Sequence, residues 1–395
     1  MADIFRILTL NNIAQVGLKR FPAGKYEVGA QVKHPDAILV RSQDMHAMDI
    51  APPVRAIARA GAGTNNIPVK RMSARGVPVF NAPGANANAV KELVIAGMLI
   101  AARNLLPATR FVSGLAGDDE AINRQAEDGK RQFAGIELPK HTLGVIGLGK
   151  IGSLVADAAI KLGMNVLGYD PHITVDAAWG LPSQVKKANS VEEVLKAADF
   201  VTLHVPYLDS TRNLINAVCV KLMRNHAILL NFSRDGIVDI DAVLEGLAAK
   251  RLKYYVCDFP ARKLAGRPGV IALPHLGAST REAEDNCAIM VVDQLRDYLE
   301  HGNIQNAVNF PDVTMPRESP FRVGIANANV PNMLGQISTA MADAGLNIHN
   351  MLNKSRGEMA YTLVDVDSAV PSSVVERIAA IKGVLAVRYL PAGKI

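Results

Sequence analysis

Aromatic side chains are scarce in this 395-residue chain: Phe, Tyr and Trp together make up 5% of it. That is too few to pave an extended stacking surface for nucleic acid. Cysteine is scarcer still. Cys219, Cys257 and Cys287 form no CxxC pair and stand in no Cys/His metal spacing, so neither a disulfide framework nor a metal site is expected. Three widely separated cysteines fit buried thiols in a reducing, cytoplasmic setting. The opening MADIFRILTL lacks a basic stretch running into a long apolar segment and a cleavage site, the marks of a secretory leader. The most apolar helical stretch, about Val90–Leu106, carries Lys91, Glu92 and Arg103 and reads as a buried helix, not as a membrane span. Charge of one sign nowhere accumulates. The net +6 is scattered, with no run of five or six basic residues, which argues against nucleic acid and leaves small anions as ligands.

What is present is an ordinary globular composition, 49% apolar and 20% charged, with length for two or three domains. Strand-like runs such as Ala37–Val40, Ala56–Arg59, Val77–Asn81, Leu143–Gly147, Val166–Asp170, Phe200–Val205, Ala227–Phe232 and Val270–His275 recur. Amphipathic stretches such as Ser190–Ala198 and Asp241–Lys250 fall between them. This alternation predicts an α/β fold with parallel sheets covered by helices. Around Asn306–Ser319, Pro311 and Pro316 suggest a linker. Beyond it the order becomes β-α-β-β-α-β, a ferredoxin-like unit of about 75 residues that can fold alone. Its first helix is expected to open with Pro331 in the first turn.

The strongest local signal is Gly147-Leu-Gly149-Lys150-Ile151-Gly152, set between an apolar strand and a helical stretch. In that context Gly147 allows a tight turn, Gly149 lets backbone approach a pyrophosphate, and Gly152 lets helix and strand pack closely. The N–H groups at the helix start then face the phosphates. Asp170 ends the next strand, where its carboxylate can accept from ribose hydroxyls and would repel a 2′-phosphate, so NAD is favoured over NADP.

Taken with RAGAGTNNI (59–67), NAPGANANAVKELV (81–94), HVPYLDSTRNLIN (204–216), NFSRDGIVD (231–239) and PHLGAST (274–280), the chain resembles the D-2-hydroxyacid dehydrogenase family over nearly its whole length. The resemblance implies two doubly wound domains. Residues 1–94 and 277–305 would bind substrate, residues 95–276 would bind NAD, and the active site would lie in the cleft. Residues 306–319 would be a linker and 320–395 would resemble an ACT domain, a ligand-sensing module. Arg234 matches the arginine that grips the substrate carboxylate, and its planar fork suits that group. His275 matches the acid–base histidine, whose imidazole can serve both directions near neutrality. Asp258 matches an aspartate that binds the nicotinamide carboxamide. Lys150, Ile151, His204, Pro206, Phe232 and Gly277 fall at further cofactor positions.

The sequence departs from the family at one point. A glutamate that pairs with the histidine is usual about five residues after the aspartate, and here Lys263 stands near its place. No acid occurs between Phe259 and Arg281, and a cation there would disfavour a protonated imidazole.

The C-terminal appendage and the Asp258-Phe-Pro and PHLGAST segments look most like the branch of the family that oxidises 3-phosphoglycerate at the start of L-serine synthesis. Arg41 and Arg59 match positions facing the substrate phosphate there. Backbone N–H groups around Gly61–Gly63, Ala62 among them, would hold the carboxylate, since glycine allows close approach. Asn86 and Asn88 sit on the loop opening a helix, where polar groups and helix N–H groups attract anions. Asn327, Asn329 and Asn347 lie where ACT domains bind an amino-acid effector, implying L-serine, and such modules imply a homodimer or homotetramer. Two alternatives remain open at this point: a dehydrogenase for another 2-hydroxy acid, and a non-catalytic NAD-sensing regulator.

Overall fold

The computed structural model describes residues 4–391. They form two compact units, one of residues up to Asn86 together with those from Arg281 onward, the other Ala87–Thr280.

The first unit is built on five parallel strands ordered Tyr26–Gly29, Phe5–Leu10, Ala37–Val40, Ala56–Arg59, Val79–Phe80. This is the flavodoxin-like 2-1-3-4-5 order. Ala37–Val40 is buried throughout, which explains why it reads as a continuous apolar run rather than an alternating one. Helix Arg281–His301 closes one face, placing Cys287, Val291, Leu295, Tyr298 and Leu299 in a core with Ile7, Leu39 and Phe80. Gly17, in helix Gln15–Leu18, allows that element to lie against it, since a Cβ there would come within 2.6 Å of Ala288.

The antiparallel C-terminal sheet is ordered Ile348–Arg356, Met359–Val366, Phe321–Ala328, Val384–Pro391, the ferredoxin-like arrangement. Period-two alternation splits its central strand. Val323 and Ile325 pack with helices Met333–Ala342 and Ser372–Ala379, while Ala326 faces the opposite way. That opposite face is covered. Ala326, Tyr361 and Leu363 enter the same core as Tyr298 and Leu299. Tyr361 donates its hydroxyl to the Gly302 carbonyl at 2.8 Å, and Arg388 donates to the carbonyls of Tyr298 and Leu299. Arg322 is fully buried and grips Asp365 at 2.6 and 2.8 Å while donating to the carbonyls of His301, Met315 and Pro316. The unit expected to stand alone therefore shares a core with its neighbour.

Residues 306–319 likewise form more than a spacer. Ala307, Phe310, Val313 and Met315 are buried, and bridges join Phe80 to Ala307 and Ile304 to Val313. The two prolines break the periodicity that would have advertised this packing. The first C-terminal helix begins at Met333 rather than at Pro331, because Asn332 adopts a left-handed conformation at its N-cap.

The second unit is a seven-stranded parallel sheet ordered Val270–Ala272, Leu252–Cys257, Ala227–Asn231, Phe200–Leu203, Thr142–Ile146, Asn165–Tyr169, Val185–Lys187. Its order reverses between Thr142–Ile146 and Phe200–Leu203, the switch point where such sheets bind ligands. Helices Ala87–Ala102 and Lys150–Lys161 pack together on one face, and Val191–Ala197 and Ile240–Ala248 share the other core. The first of these helices sets the boundary at 86 instead of 94, since Val90 and Val94 lie in this unit's core. The return segment starts at Arg281 instead of 277, where the long helix begins.

Candidate active site

In the second unit, the turn after strand Thr142–Ile146 has Gly147 at φ 93, a region that L side chains disfavour. A Cβ on Gly152 would lie 1.9 Å from the Gly147 carbonyl oxygen, whereas one on Gly149 meets no protein atom within 4 Å. The first glycine position is demanded by the fold and the second opens onto free space. Helix Lys150–Lys161 starts here with no side-chain cap on Gly149, so its first N–H groups stay available to an anion. Asp170 accepts from Leu148 N and His172 N, both at 2.9 Å, which ties the acid to the glycine turn. A recess of about 400 Å3 lined by Leu148, Tyr169, Asp170, Ile173 and Leu181 adjoins it. Its apolar walls and single carboxylate fit an adenosine. These residues fit NAD.

His204, at the end of the neighbouring strand, has Nε2 3.0 Å from Thr202 Oγ1, and its Nδ1 is buried with no partner among the described residues. Burial pushes its imidazole down to about 3, so it is neutral in the fold, and its backbone abuts Gly147. The Pro206 carbonyl accepts from Thr211 Oγ1 at 2.6 Å, holding the next turn. Phe232 is 6% exposed and packs where a Cβ on Gly97 would fall, 3.1 Å from its ring. Its side chain is thus core, leaving only its backbone for a ligand.

Arg234 follows strand Ala227–Asn231 with an exposed side chain and extended backbone. Two residues missed in the sequence position it. Asn231, fully buried, donates Nδ2 to the Arg234 carbonyl and accepts from Ser233 N. Ser233 Oγ donates to the Val205 carbonyl. A buried asparagine at the end of an otherwise apolar strand was the available signal.

His275 is exposed and takes a left-handed φ of 59, a sparsely populated state for a non-glycine residue. Asp258 holds it there. This carboxylate is 2% exposed, with Oδ1 accepting from Leu276 N and Oδ2 from Gly277 N, each at 2.7 Å. A Cβ on Gly277 would lie 3.1 Å from Asp258 Oδ2, so any side chain there would press on the carboxylate by a few tenths of an ångström. Asp258 therefore clamps the histidine turn, whatever it offers a cofactor. The ring of His275 meets Phe259 edge-on at 5.2 Å. No hydrogen bond or ion pair joins it to a carboxylate among the described residues. Lys263 is turned to Asp241, its Nζ 2.7 and 2.8 Å from the two oxygens, so its charge is spent in that exposed pair.

In the first unit, Arg41 and Arg59 end adjacent strands. Arg59 donates Nε to the Arg41 carbonyl at 3.0 Å, and Arg41 Nη2 lies 2.6 Å from Glu284 Oε1. The Ala62 carbonyl is held by Asn81 Nδ2. Gly61 N already donates to the Arg59 carbonyl, so it is not a ready anion donor. Asn86 closes this unit's chain segment at half exposure. In the C-terminal sheet, Asn327 is 1% exposed with Oδ1 buried and unpartnered among the described residues, and Asn329 donates to the Gly357 carbonyl. Asn347 sits at the opposite end. Ile348 pairs through Val366 to Phe321, not to Ala328, about 20 Å away along the strand. One chain does not bring the three asparagines together.

The profile for the D-isomer specific 2-hydroxyacid dehydrogenase NAD-binding domain matches residues 95–277. Among curated proteins, D-3-phosphoglycerate dehydrogenase of Haemophilus influenzae is 33% identical over 87% of this chain and 83% of its own length. The enzyme of the same name from Methanocaldococcus jannaschii is 34% identical over 87% of this chain, which spans 64% of that relative's length. In structure, NAD-bound 3-phosphoglycerate dehydrogenase of Entamoeba histolytica matches with a TM-score of 0.59, 23% identity, 78% of this chain and 99% of its own. Holo D-mandelate dehydrogenase of Rhodotorula graminis matches with a TM-score of 0.68, 22% identity, 80% of this chain and all of its own.

Proposed function

Because this chain belongs to the D-isomer-specific 2-hydroxyacid dehydrogenases, we propose that it oxidises 3-phospho-D-glycerate to 3-phosphohydroxypyruvate with NAD, opening L-serine synthesis. The observation that carries the reading is the pair of arginines, Arg41 and Arg59, joined at adjacent strand ends. An unphosphorylated hydroxy acid needs one cationic anchor, which Arg234 supplies, and has no use for two more. NAD, when bound, takes up the hydride from C2. Arg234 orients the carboxylate, and an imidazole nitrogen of His275 receives the C2 hydroxyl proton as the carbonyl forms. Asp258 keeps that imidazole aimed by fixing the two amides behind it. In this site the aspartate clamp holds the histidine turn and the Phe259 edge lies against the ring.

The C-terminal unit reads as an ACT domain for L-serine, with Asn327 and Asn329 of one copy facing Asn347 of another. The separation of these residues within a chain supports a homo-oligomer. Helices Leu105–Ser113 and Asp119–Gly129 support it too, since neither buries a residue and Leu105 and Val112 are exposed. No helix among the described residues is long and apolar enough to cross a membrane.

The test is initial-rate NADH formation from 3-phosphoglycerate, D-glycerate and D-lactate, in wild type and His275→Ala. Preference for the phosphorylated acid, with kcat falling about a hundredfold or more in the variant, is expected. Turnover of D-lactate alone would reassign the substrate. Bound NAD with no turnover of any acid would leave a regulator.

A further inference from the structure

Glu284 lies in the first turn of helix Arg281–His301, and its Oε1 meets Arg41 Nη2 at 2.6 Å. Both side chains keep some exposure, 34% for Arg41 and 40% for Glu284, so the pair borders solvent and is reachable by a ligand. One turn further along, the thiol of Cys287 is buried at 4% exposure. Burial raises that thiol, the Arg59 and Arg41 guanidiniums pull it back, and Glu284 pushes it up again. With Arg59 Nε on the Arg41 carbonyl and Arg41 Nη2 on Glu284, the three residues form one cluster of two guanidiniums and one carboxylate. Their charges sum to about +1.

A phosphate dianion entering this cluster gains two cations but meets the Glu284 carboxylate already on one of them. That carboxylate does two opposed things. It pre-aligns Arg41, lowering the entropy lost when an anion binds, and it mutes the charge the anion seeks. A free phosphate ion has only the cluster to hold it, so the muting falls on it in full. A substrate held by further groups besides its phosphate can tolerate it.

We propose that Glu284 is the specificity-setting counter-ion of the phosphate subsite, weakening its grip on phosphate so that inorganic anions are shed while the doubly anchored phosphoglycerate is kept. This rests on the functional reading above, and the experiment separates the two. Glu284→Gln keeps an oxygen acceptor for Arg41 and removes the charge. In the full-length enzyme the ratio of KM for D-glycerate to KM for 3-phosphoglycerate is expected to rise about tenfold, with the effect on KM rather than kcat. The dissociation constant of inorganic phosphate, read by calorimetry or by thermal shift, is expected to fall by about the same factor. In Arg41→Gln it is expected to rise instead. A KM ratio and a phosphate affinity that both stay put or move the other way in Glu284→Gln overturn the proposal. If wild type turns over no phosphorylated acid yet phosphate tightens in Glu284→Gln, the functional reading fails and the counter-ion stands. If 3-phosphoglycerate is the substrate and neither quantity tightens, the counter-ion fails alone.

Discussion

Gly149 and Gly152 stand three residues apart, yet an added methyl group means different things at the two. At Gly152 it would collide with the Gly147 carbonyl at 1.9 Å, and at Gly149 it would meet nothing of the protein. Gly149→Ala is therefore expected to melt close to wild type while binding NAD about tenfold or more weakly, since only a ligand needs that space. Gly152→Ala should lower the melting temperature itself. Calorimetric NAD titration beside a thermal melt separates the two, and an NAD affinity unchanged in Gly149→Ala would remove the pyrophosphate from this turn. His204 carries a pH consequence. Its folded-state value is about 3 against about 6.5 in the unfolded chain, so on acidification the unfolded chain takes up the proton first. The stability contributed by neutral His204 is complete above about pH 6.5 and drains away as pH falls toward about 3. Melting temperatures between pH 7.5 and 5 should fall less steeply in His204→Asn than in wild type. Equal slopes would mean that the ring is hydrated in solution.

Elements differed in how plainly the sequence announced them. The parallel strands and the glycine turn were legible because burial on both faces leaves unbroken apolar runs, and because a strand, a turn and a helix had to follow one another around Gly147. The two-faced role of Phe321–Ala328 was not legible. Local alternation shows that a strand has two faces and is silent on what covers the second one. Helices Leu105–Ser113 and Asp119–Gly129 left no mark for a related reason, as neither has a buried stripe. Arg234, His275 and Asp258 were picked out by resemblance. The clamp from Asp258 to Leu276 and Gly277, the Asn231 brace and Glu284 needed three dimensions, because each joins residues through backbone amides or across distant segments. The second face of Phe321–Ala328 rests on one buried ion pair, Arg322 with Asp365, both fully enclosed. Removing one member leaves the other charge stranded. Asp365→Asn is expected to lose about 3–5 kcal/mol in urea unfolding, and Arg322→Met with Asp365→Leu together less than either alone. A loss under about 1 kcal/mol for Asp365→Asn would show that water reaches the pair.

For the whole molecule, the core that joins Ile7, Phe80, Tyr298, Phe310, Tyr361 and Leu363 is continuous. A chain cut after residue 319 would uncover Tyr298 and Leu299, strip Gly302 of its Tyr361 partner, and leave the carbonyls of His301, Met315 and Pro316 without Arg322. Such a truncation is expected to lower the melting temperature by several degrees or to aggregate, rather than leave a stable remainder. A cut chain with wild-type stability and activity would show that the shared core is dispensable. The same continuity bears on inheritance. A sensing unit whose boundary is a solvated linker can be passed between enzymes as a cassette, by recombination in nature or by grafting in the laboratory. Here the seam runs through packed side chains, so a transplant that begins at the first strand of the C-terminal sheet leaves half of its binding face behind. The shared core runs back through Tyr298 and Leu299 to Ile7 and Phe80, so no cut at that strand hands over a module with its packing intact.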